Sequence, residues 1–414
     1  MLTKAVRAAL IGVVAAGFFG GCGTKDARPV IRLLTGPDSG GGFKEIIRQF
    51  EAARPDLRVE LVEGPAATNT REDMYAASFM AQDGAYDVVF MDVIWVPKFA
   101  AAGWILPLDD RFPAEERADF LPGDISGSIY QTKIYRVPMQ SDAGMLYYRK
   151  DLLDAEKRVP PRTVEELAEL ARALQSPPDR WGLVFQGQQY EGLVCAFLEV
   201  LWGFGGDVID AEGRVTLDSP ESVRALEWLA GLPTRLAPPG VTTYQEEECR
   251  QMFQDGRAVF MRNWPYAWTL CQKEGSPVRG KIGIVPMVHA AGKTSAATLG
   301  GWGYGISAYS KHPGAAWSFI EFATQAAQQK VFHFRTGAIP TRKSLFDDAD
   351  ILKGSPHFKE LYTVLLAARP RPVHPRYSRI SDILQRHVSA ALVGQLTPEK
   401  AIQDAAEKIR QALQ

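Results

Sequence analysis

Residues 86–95 read YDVVFMDVIW and supply the last strand of the pattern that decides the fold. The apolar run from Val88 to Met91 is typical of a strand that is covered on both faces. Asp92 then interrupts the run before further apolar residues follow. Because an ionised carboxylate in an apolar setting is costly unless a hydrogen bond or a partner charge compensates it, Asp92 predicts either a structural ion pair or a ligand contact.

The residues before this strand alternate between strand and helix patterns. Strands are predicted at residues 30–35 and 57–62, and helices with one apolar face are predicted around residues 43–50 and 71–81. This βαβαβ order predicts an α/β fold whose sheet is mainly parallel, with helices on both faces. The glycine-rich residues 36–42 lack the spacing of a phosphate-binding loop, so we interpret them as a strand-to-helix turn that lines a cleft.

A second α/β lobe is predicted after Gly127, where short strand patterns are followed by new helix starts. Thr163 and Glu166 match a capping box, and Pro220 suits the first turn of a later helix. Residues 298–310, TLGGWGYGISAYS, read as a strand whose internal glycines cost order without adding packing. We therefore expect two lobes, each a mainly parallel sheet flanked by helices, rather than one large core.

The composition is that of a soluble globular protein. The 414 residues are 46% hydrophobic and 23% charged, and the formal net charge is -1. The chain thus lacks the basic excess that nucleic acid or an anionic membrane surface would select, so we expect no nucleic-acid partner. We also expect a monomer. The sequence also lacks a Walker motif, a GxGxxG spacing and a Cys/His cluster, and we therefore expect neither a cofactor nor a metal.

The first 22 residues, MLTKAVRAALIGVVAAGFFGGC, predict export. Lys4 and Arg7 precede an apolar stretch that is too short for a membrane span, so residues 1–21 read as a signal peptide. The end of this stretch resembles the bacterial lipobox, which implies that Cys22 is lipidated and that residues 22–28 form a tether. Acyl chains would then hold the protein at a membrane surface of the cell envelope. The alternative is an ordinary secreted protein with an unmodified Cys22.

Three further cysteines, Cys195, Cys249 and Cys271, leave room for one disulfide. An odd number cannot all pair, and the sequence alone does not choose among the three possible pairings. The pairing therefore stays open.

Two acids, two tryptophans and several arginines are candidates for a binding site. Asp92 and Asp142 follow strand-like runs, and ligand crevices of α/β sheets lie beyond the carboxyl ends of strands. Trp264 and Trp302 have small or rigid neighbours, and a flat ring beside hydroxyl-binding acids suits a sugar. For either tryptophan alone, packing in the core is the alternative. The arginines, which could bridge two hydroxyls, are Arg71, Arg371 and Arg376.

A pair of acids also allows an enzyme. Asp92 and Asp142 could serve as the acid and the nucleophile of a secreted glycoside hydrolase. No nucleophile elbow, HExxH motif or kinase motif set accompanies them. The residues thus give catalysis no positive support, and we expect a protein that is not an enzyme.

Six stretches in a fixed order resemble a known family. They are YDVVFMDVIWVPKFAAAGWILPLD, SDAGMLYYRKDLL, FMRNWPYAW, LGGWGYGIS followed by SKHPGAAWSFIEF, TGAIPTRKSL, and RPRPVHPRYSRISDIL. Together they are similar to the extracellular solute-binding proteins of ABC transporters for carbohydrates, particularly the trehalose/maltose-binding branch. That resemblance implies two α/β lobes that close on a sugar by hinge motion. It implies chain crossings near Gly144, Gly301 and Ile351, an N-lobe of residues 29–143 and 302–349, and a C-lobe of residues 144–301 and 350–414.

The same resemblance implies a set of sugar contacts. The residues that match the family's positions are Arg71, Asp92, Asp142, Trp264, Gly301, Trp302 and Arg371. Two positions depart from the family: Asp38-Ser39 stands where an acid of the first loop is expected, and Gln140 replaces an aromatic residue. The implied function is a lipoprotein that captures a glucose-containing disaccharide and delivers it to a permease with a separate ATPase. A surface lipoprotein that senses sugar without transport is the remaining alternative.

Overall fold

The computed structural model describes residues 28–38, 40–65, 68–210 and 212–414. The expected signal peptide and the lipidation site at Cys22 lie outside these residues, as does Ser39. Within them the chain forms twelve strands and seventeen α-helices, with short 3-10 turns at Val93–Trp95, Pro239–Thr243 and Lys343–Asp347. None of the helices in these ranges has the length and apolarity needed to cross a membrane.

The strands and helices follow each other in mixed order along the chain. The strands are β1 (Val30–Thr35), β2 (Arg58–Glu63), β3 (Val88–Asp92), β4 (Ile129–Tyr130), β5 (Lys133–Ile134), β6 (Val137–Ala143), β7 (Met145–Arg149), β8 (Trp181–Val184), β9 (Ala258–Asn263), β10 (Ile282–Val285), β11 (Ala297–Ile306) and β12 (Ala368–Arg369). The helices are α1 (Gly42–Ala53), α2 (Thr68–Ala81), α3 (Val96–Ala101), α4 (Ala114–Arg117), α5 (Pro122–Ser126), α6 (Lys150–Ala155), α7 (Val164–Leu174), α8 (Glu191–Phe204), α9 (Pro220–Ala230), α10 (Glu246–Gln254), α11 (Tyr266–Cys271), α12 (Pro313–Ala323), α13 (Ala326–Thr336), α14 (Ala349–Gly354), α15 (Phe358–Leu366), α16 (Tyr377–Leu392) and α17 (Pro398–Leu413).

The first sheet has the order β12-β11-β3-β1-β2, and β6 also pairs with β11. Strand β1 runs parallel to β2 and β3, as the βαβαβ pattern predicts. The long strand β11 runs antiparallel to β3 and β6. It therefore closes the βαβαβ unit on one side and places its glycines opposite the end of β3, where Trp302 pairs with Asp92.

The second sheet has the order β10-β7-β9-β8. Strands β8 and β9 are parallel, whereas β7 runs antiparallel to both β9 and β10. The α/β fold with helix-flanked sheets is thus confirmed. Mainly parallel pairing is found in the first sheet, where β1–β2, β1–β3 and β11–β12 are parallel, but the prediction is wrong for the second sheet, where two of three pairs are antiparallel. A single residue, Gly144, separates β6 of the first sheet from β7 of the second. Strand β7 then pairs with β9 and β10, which follow much later in the chain, so no βαβ crossover sets its direction.

Local sequence signals for helix starts are confirmed. Thr163 accepts a hydrogen bond from the Glu166 backbone N–H while the Glu166 side chain reaches back, so the capping box at α7 is complete. Ser219 caps α9 and Pro220 occupies its first turn. Such caps satisfy backbone N–H groups that have no partner inside the helix.

Helix α8 lies in the apolar core on the side of the molecule that contains the second sheet. Almost every residue from Gly192 to Phe204 is buried, and α16 and α17 pack in the same apolar cluster. The helix nevertheless carries one fully buried acid, Glu199. The disulfide that the sequence left open does not form, because the three cysteines of the described residues are free and buried.

Candidate functional site

A cavity of about 790 Å³ is lined by residues from both sheets. The first sheet contributes the ends of β3 and β6 and the middle of β11, and the second contributes the residue that follows β9. Seven of the nine residues expected to bind substrate line this cavity: Asp92, Gln140, Asp142, Trp264, Gly301, Trp302 and Arg371. Residues that are far apart in sequence thus converge on one concave space of the size that small-molecule ligands occupy.

Arg371 connects the two sides of the cavity through its guanidinium group. Nη2 donates to Asp92 Oδ1 at 3.1 Å, and Nη1 donates to Glu191 Oε1 at 2.9 Å. Glu191 begins α8 and also accepts hydrogen bonds from the hydroxyls of Tyr377 and Ser381. The acid at the end of β3 therefore has the partner charge that its apolar neighbours require, and the same ion pair faces the cavity.

Asp142 is the cavity acid with the most perturbed titration. Burial, together with the nearby carboxylates of Asp124 and Asp92, raises the pKa of the Asp142 carboxyl to about 7. Near neutral pH the group is thus shared between an acid form that donates one hydrogen bond and a carboxylate that only accepts. Asp142 can therefore donate a hydrogen bond to a ligand hydroxyl or accept one from it.

Trp302 lies in the wall formed by the first sheet. Its ring stacks on Phe90 with centroids 5.3 Å apart and meets the edge of Trp95, also at 5.3 Å. The Arg71 guanidinium lies over the ring, 4.6 Å from its centroid, and donates to the Pro65 carbonyl at 2.6 Å. Arg71 does not line the cavity. Arg71, which was expected to contact sugar, instead packs against Trp302, and Trp302 does line the cavity.

Trp264 lies in the wall formed by the second sheet. Its indole Nε1 donates to Glu246 Oε1 at 3.3 Å, and its backbone N–H donates to Asn263 Oδ1 at 2.8 Å. The Arg262 guanidinium lies over the ring at 4.1 Å from the centroid. Each of the two cavity tryptophans thus carries an arginine on its ring, a contact that combines cation–π attraction with planar stacking.

Gly301 has a backbone conformation that only glycine adopts easily, with φ at 111°. A Cβ added at this position would lie 2.6 Å from the Gln140 carbonyl oxygen. The Gly301 carbonyl accepts a hydrogen bond of 3.1 Å from Arg136 Nη1 beneath the sheet. Packing alone did not explain the glycines of β11. Glycine is required at this point because β11 and β6 approach each other closely at the cavity.

Asp38 does not line the cavity. Its two carboxylate oxygens accept from the backbone N–H groups of Phe43 and Lys44, at 3.2 and 3.0 Å, in the first turn of α1. Asp38 therefore caps the N-terminus of α1. Arg376 is likewise elsewhere, donating to the Ala412 carbonyl at 2.8 Å.

Several cavity residues were not singled out from the sequence. They are Thr68, Asn69, Tyr190, Glu191, Glu246 and Tyr266. A usable signal existed for Glu191 and for its helix neighbour Glu199, because both acids border or interrupt a strongly apolar helix in the way that Asp92 interrupts a strand. Among the described residues no group of three His, Cys, Asp or Glu side chains could hold a metal ion.

Comparisons with known proteins agree with this geometry. The pattern of the family described as bacterial extracellular solute-binding protein matches residues 35–330. A probable ABC transporter-binding protein of Deinococcus radiodurans is 37% identical over 375 residues, covering 88% of this chain and 89% of the relative. The solved structure of maltose-bound T. maritima MalE3 is 40% identical with a TM-score of 0.86, covering 92% of this chain and 99% of that chain. A solute-binding protein of Agrobacterium radiobacter K84 in complex with ribitol is 27% identical with a TM-score of 0.81, covering 92% of this chain and 98% of that chain.

The family pattern covers residues 35–330, the other matches cover 88% to 92% of this chain, and the solved relatives are two-lobed binding proteins. The chain therefore belongs to the bacterial extracellular solute-binding protein family.

Proposed function

We propose that the protein is the sugar-binding component of an ABC importer and that its cavity captures a glucose-containing disaccharide such as maltose, trehalose or sucrose. The observation that carries the proposal is the combination in one cavity of acids, a guanidinium and two indole rings. A sugar offers hydroxyls to the charged groups and an apolar C–H face to the rings, so this combination suits it better than a purely apolar or purely ionic ligand.

The proposed roles follow from the contacts. Asp92 and Asp142 exchange hydrogen bonds with sugar hydroxyls, Arg371 donates to them, and Trp264 stacks on a sugar ring. Trp302, whose ring already carries Phe90 and the Arg71 guanidinium, adds apolar contact in the cavity wall rather than a free stacking face. Gly301 offers backbone polar groups, and Gln140 adds an amide next to Trp302. Arg71 contributes indirectly by holding the Trp302 ring, since its guanidinium lies on that ring rather than in the cavity wall.

The two solved relatives described above support a sugar or polyol as the ligand. One solved relative holds maltose and another holds ribitol. Maltose is the ligand of the relative with 40% identity, so a disaccharide is the better starting hypothesis. We further propose that residues 29–143 and 302–349 form one lobe and that residues 144–301 and 350–414 form the other, with the sugar closing them together.

Thermal unfolding and tryptophan fluorescence with a ligand panel test the proposal. The panel contains maltose, trehalose, sucrose, glucosylglycerol, glucose and ribitol. A ligand that binds only the folded protein adds about 2.7 kcal/mol of stability at a hundredfold excess over its Kd. We expect at least one disaccharide to raise the melting temperature and change the fluorescence at lower concentration than ribitol. A panel in which no sugar changes either signal contradicts the proposal.

Two alternatives lead to different results with the same ligands. A glycoside hydrolase using Asp92 and Asp142 would release glucose during long incubation, and the raised pKa of Asp142 to about 7 would suit its general acid. A sugar sensor without transport would bind sugar normally, and its gene deletion would leave sugar uptake unchanged. We expect no glucose release and a loss of uptake, because the family consists of solute-binding proteins.

The proposed location is the cell envelope, with the protein exported and anchored through lipidated Cys22. Replacing Cys22 by Ala tests the anchor. We expect the variant to move from the membrane fraction to the soluble fraction while sugar binding is unchanged. A wild-type protein that is itself found in the soluble fraction would favour the alternative of an ordinary secreted protein.

A further inference from the structure

A buried ion pair between Glu199 and Arg262 lies outside the cavity wall but against it. Glu199 is 0% exposed and Arg262 is 2% exposed. The pairing is bidentate, with Nε donating to Oε2 at 2.8 Å and Nη2 donating to Oε1 at 2.6 Å. The third guanidinium nitrogen, Nη1, donates to Gln186 Oε1 at 3.2 Å. All three nitrogens of the group are therefore committed to fixed partners.

The same pair touches two of the segments at which the chain passes between the proposed lobes. Glu199 Oε1 accepts a 3.1 Å hydrogen bond from the backbone N–H of Thr298 in β11. A Cβ added at Gly144, between β6 and β7, would lie 1.8 Å from Glu199 Oε1 and 2.3 Å from Arg262 Nη2. The Gly144 N–H in turn donates to the Thr298 carbonyl at 3.3 Å. Glycine is thus required at the one-residue connection because the ion pair occupies the space of a side chain.

The pair also reaches the cavity through one tryptophan. The Arg262 guanidinium stacks over the Trp264 ring at 4.1 Å. The far edge of that ring lies near β11, since a Cβ added at Gly300 would be 3.4 Å from Trp264 Cζ3. Contacts therefore continue from Trp264 through Arg262 and Glu199 to Thr298 of β11. Gly300 of the same strand lies close to Trp264, so the series of contacts returns to its start.

We propose that the Glu199–Arg262 pair is a positioning pair that holds Trp264 in register with the two connecting segments, so that a sugar stacked on Trp264 favours one arrangement of the lobes. The inference rests on the proposed sugar binding. A buried ion pair rarely stabilises a fold more than apolar residues of the same size, so a role in geometry accounts for it better than a role in stability. Lysine could keep the charge, but it could not supply the bidentate fork and the flat surface together.

Arg262→Lys tests the proposal, with Arg342→Lys as the matched control. Arg342 is also buried, pairs with Glu116 and Asp119, and stacks over Phe120 at 4.3 Å, but it does not line the cavity or contact either connecting segment. Both changes delete the same kind of contact. We expect maltose binding, measured by calorimetry, to weaken about tenfold or more in Arg262→Lys and by less than about twofold in Arg342→Lys.

A second readout separates positioning from simple loss of stability. The decrease in radius of gyration on saturation with maltose, measured by X-ray scattering, should be smaller in Arg262→Lys than in the wild type and unchanged in Arg342→Lys. If Arg262→Lys does not fold, the double change Glu199→Leu with Arg262→Met replaces both charges by apolar groups and should fold, since apolar replacements of buried pairs are well tolerated. It too should bind maltose about tenfold or more weakly.

The outcomes are distinguishable. A wild-type protein that binds no sugar contradicts the proposed function itself, and this inference falls with it. A wild-type protein that binds maltose while Arg262→Lys or the folded double variant binds equally well overturns only the positioning role. Equal weakening in Arg262→Lys and Arg342→Lys also overturns it, because the effect would then follow stability alone.

Discussion

Two fully buried arginine–acid pairs lie under the cavity, one on each side, and they are built differently. On the second sheet's side, Arg262 and Glu199 form a bidentate pair with distances of 2.6 and 2.8 Å. On the first sheet's side, Arg136 Nη2 and Asp124 Oδ1 are 3.7 Å apart, and neither carboxylate oxygen of Asp124 has a hydrogen-bond partner among the described residues. Arg136 donates instead to Ser128 Oγ and to the Gly301 carbonyl.

The two pairs are suited to different roles. A bidentate pair whose hydrogen bonds are all made fixes the positions of both side chains, because replacing either partner by a proton or a water molecule costs free energy. A buried acid with a loose partner is poised to take up a proton, and burial raises the pKa of Asp124 to about 6 although Arg136 opposes the shift. One side of the cavity is therefore held rigidly, whereas the other responds to pH.

The largest expected effect comes from removing one charge of each pair. Glu199→Gln leaves Arg262 buried without a counter-charge and should cost about 3–5 kcal/mol of unfolding free energy. Asp124→Asn removes a carboxylate that is poorly satisfied, while Arg136 keeps its other hydrogen bonds, so the cost should be about 1–2 kcal/mol. Urea denaturation of both variants measures the two values. Equal costs would contradict the distinction between a rigid and a loose pair.

Gly144→Ala sharpens the description of the rigid pair. The added Cβ would lie within 2.3 Å of both charged groups, so the ion pair must separate or the backbone must shift. We expect a loss of about 3 kcal/mol in unfolding free energy. Gly314→Ala is the control, since nothing lies within 4 Å of its added Cβ at the start of α12. Its stability should be unchanged or slightly higher, because alanine is the better helix former. A tolerated Gly144→Ala would show that the connection has more room than described.

The pH dependence of stability tests the loose pair. An acid whose pKa is about 6 in the folded protein and about 4 in the unfolded chain binds more protons when folded between these values. Its contribution is therefore greatest near pH 4 and is lost as the pH rises to about 7, by about 3 kcal/mol at most. The stability advantage of the wild type over Asp124→Asn should shrink over this range in urea denaturation. An advantage that is constant with pH would contradict the raised pKa.

Asp38→Ala should have the smallest effect and should leave the cavity untouched. The side chain accepts from two N–H groups at the start of α1 and is absent from the cavity wall. Loss of such a cap costs about 1 kcal/mol. We expect this loss in urea denaturation together with unchanged maltose affinity. A reduced affinity would restore Asp38 to the binding site that the family resemblance implied.

Much of the fold was accessible from the sequence because it is encoded locally. The apolar run at Val88–Met91, the capping box of Thr163 and Glu166, and Pro220 at the start of α9 are each confirmed. The direction of β7 was not accessible, since its partners β9 and β10 lie far along the chain and no local pattern records that pairing. Pairing between strands that are distant in sequence leaves no periodic signal.

The cavity was predicted in part, for a similar reason. Asp92, Asp142, Trp264, Trp302 and Arg371 do meet, because strand ends and loops of an α/β fold converge. Arg71 was expected in the cavity wall but lies on Trp302. The sequence cannot distinguish a residue that contacts the ligand from one that packs behind such a residue. The Glu199–Arg262 pair was missed although an acid within an apolar helix signalled a partner as clearly as Asp92 did.

The most direct test of the account is a calorimetric titration of the wild type and Asp92→Ala with maltose at neutral pH. Asp92 lines the cavity and pairs with Arg371, which keeps Glu191 as a partner when Asp92 is removed. We expect one saturable site in the wild type. In Asp92→Ala we expect affinity about a hundredfold lower, which is about 2.7 kcal/mol, with cooperative unfolding retained. Binding of maltose by Asp92→Ala at wild-type affinity would contradict a ligand-binding role and leave Asp92 a purely structural partner of Arg371.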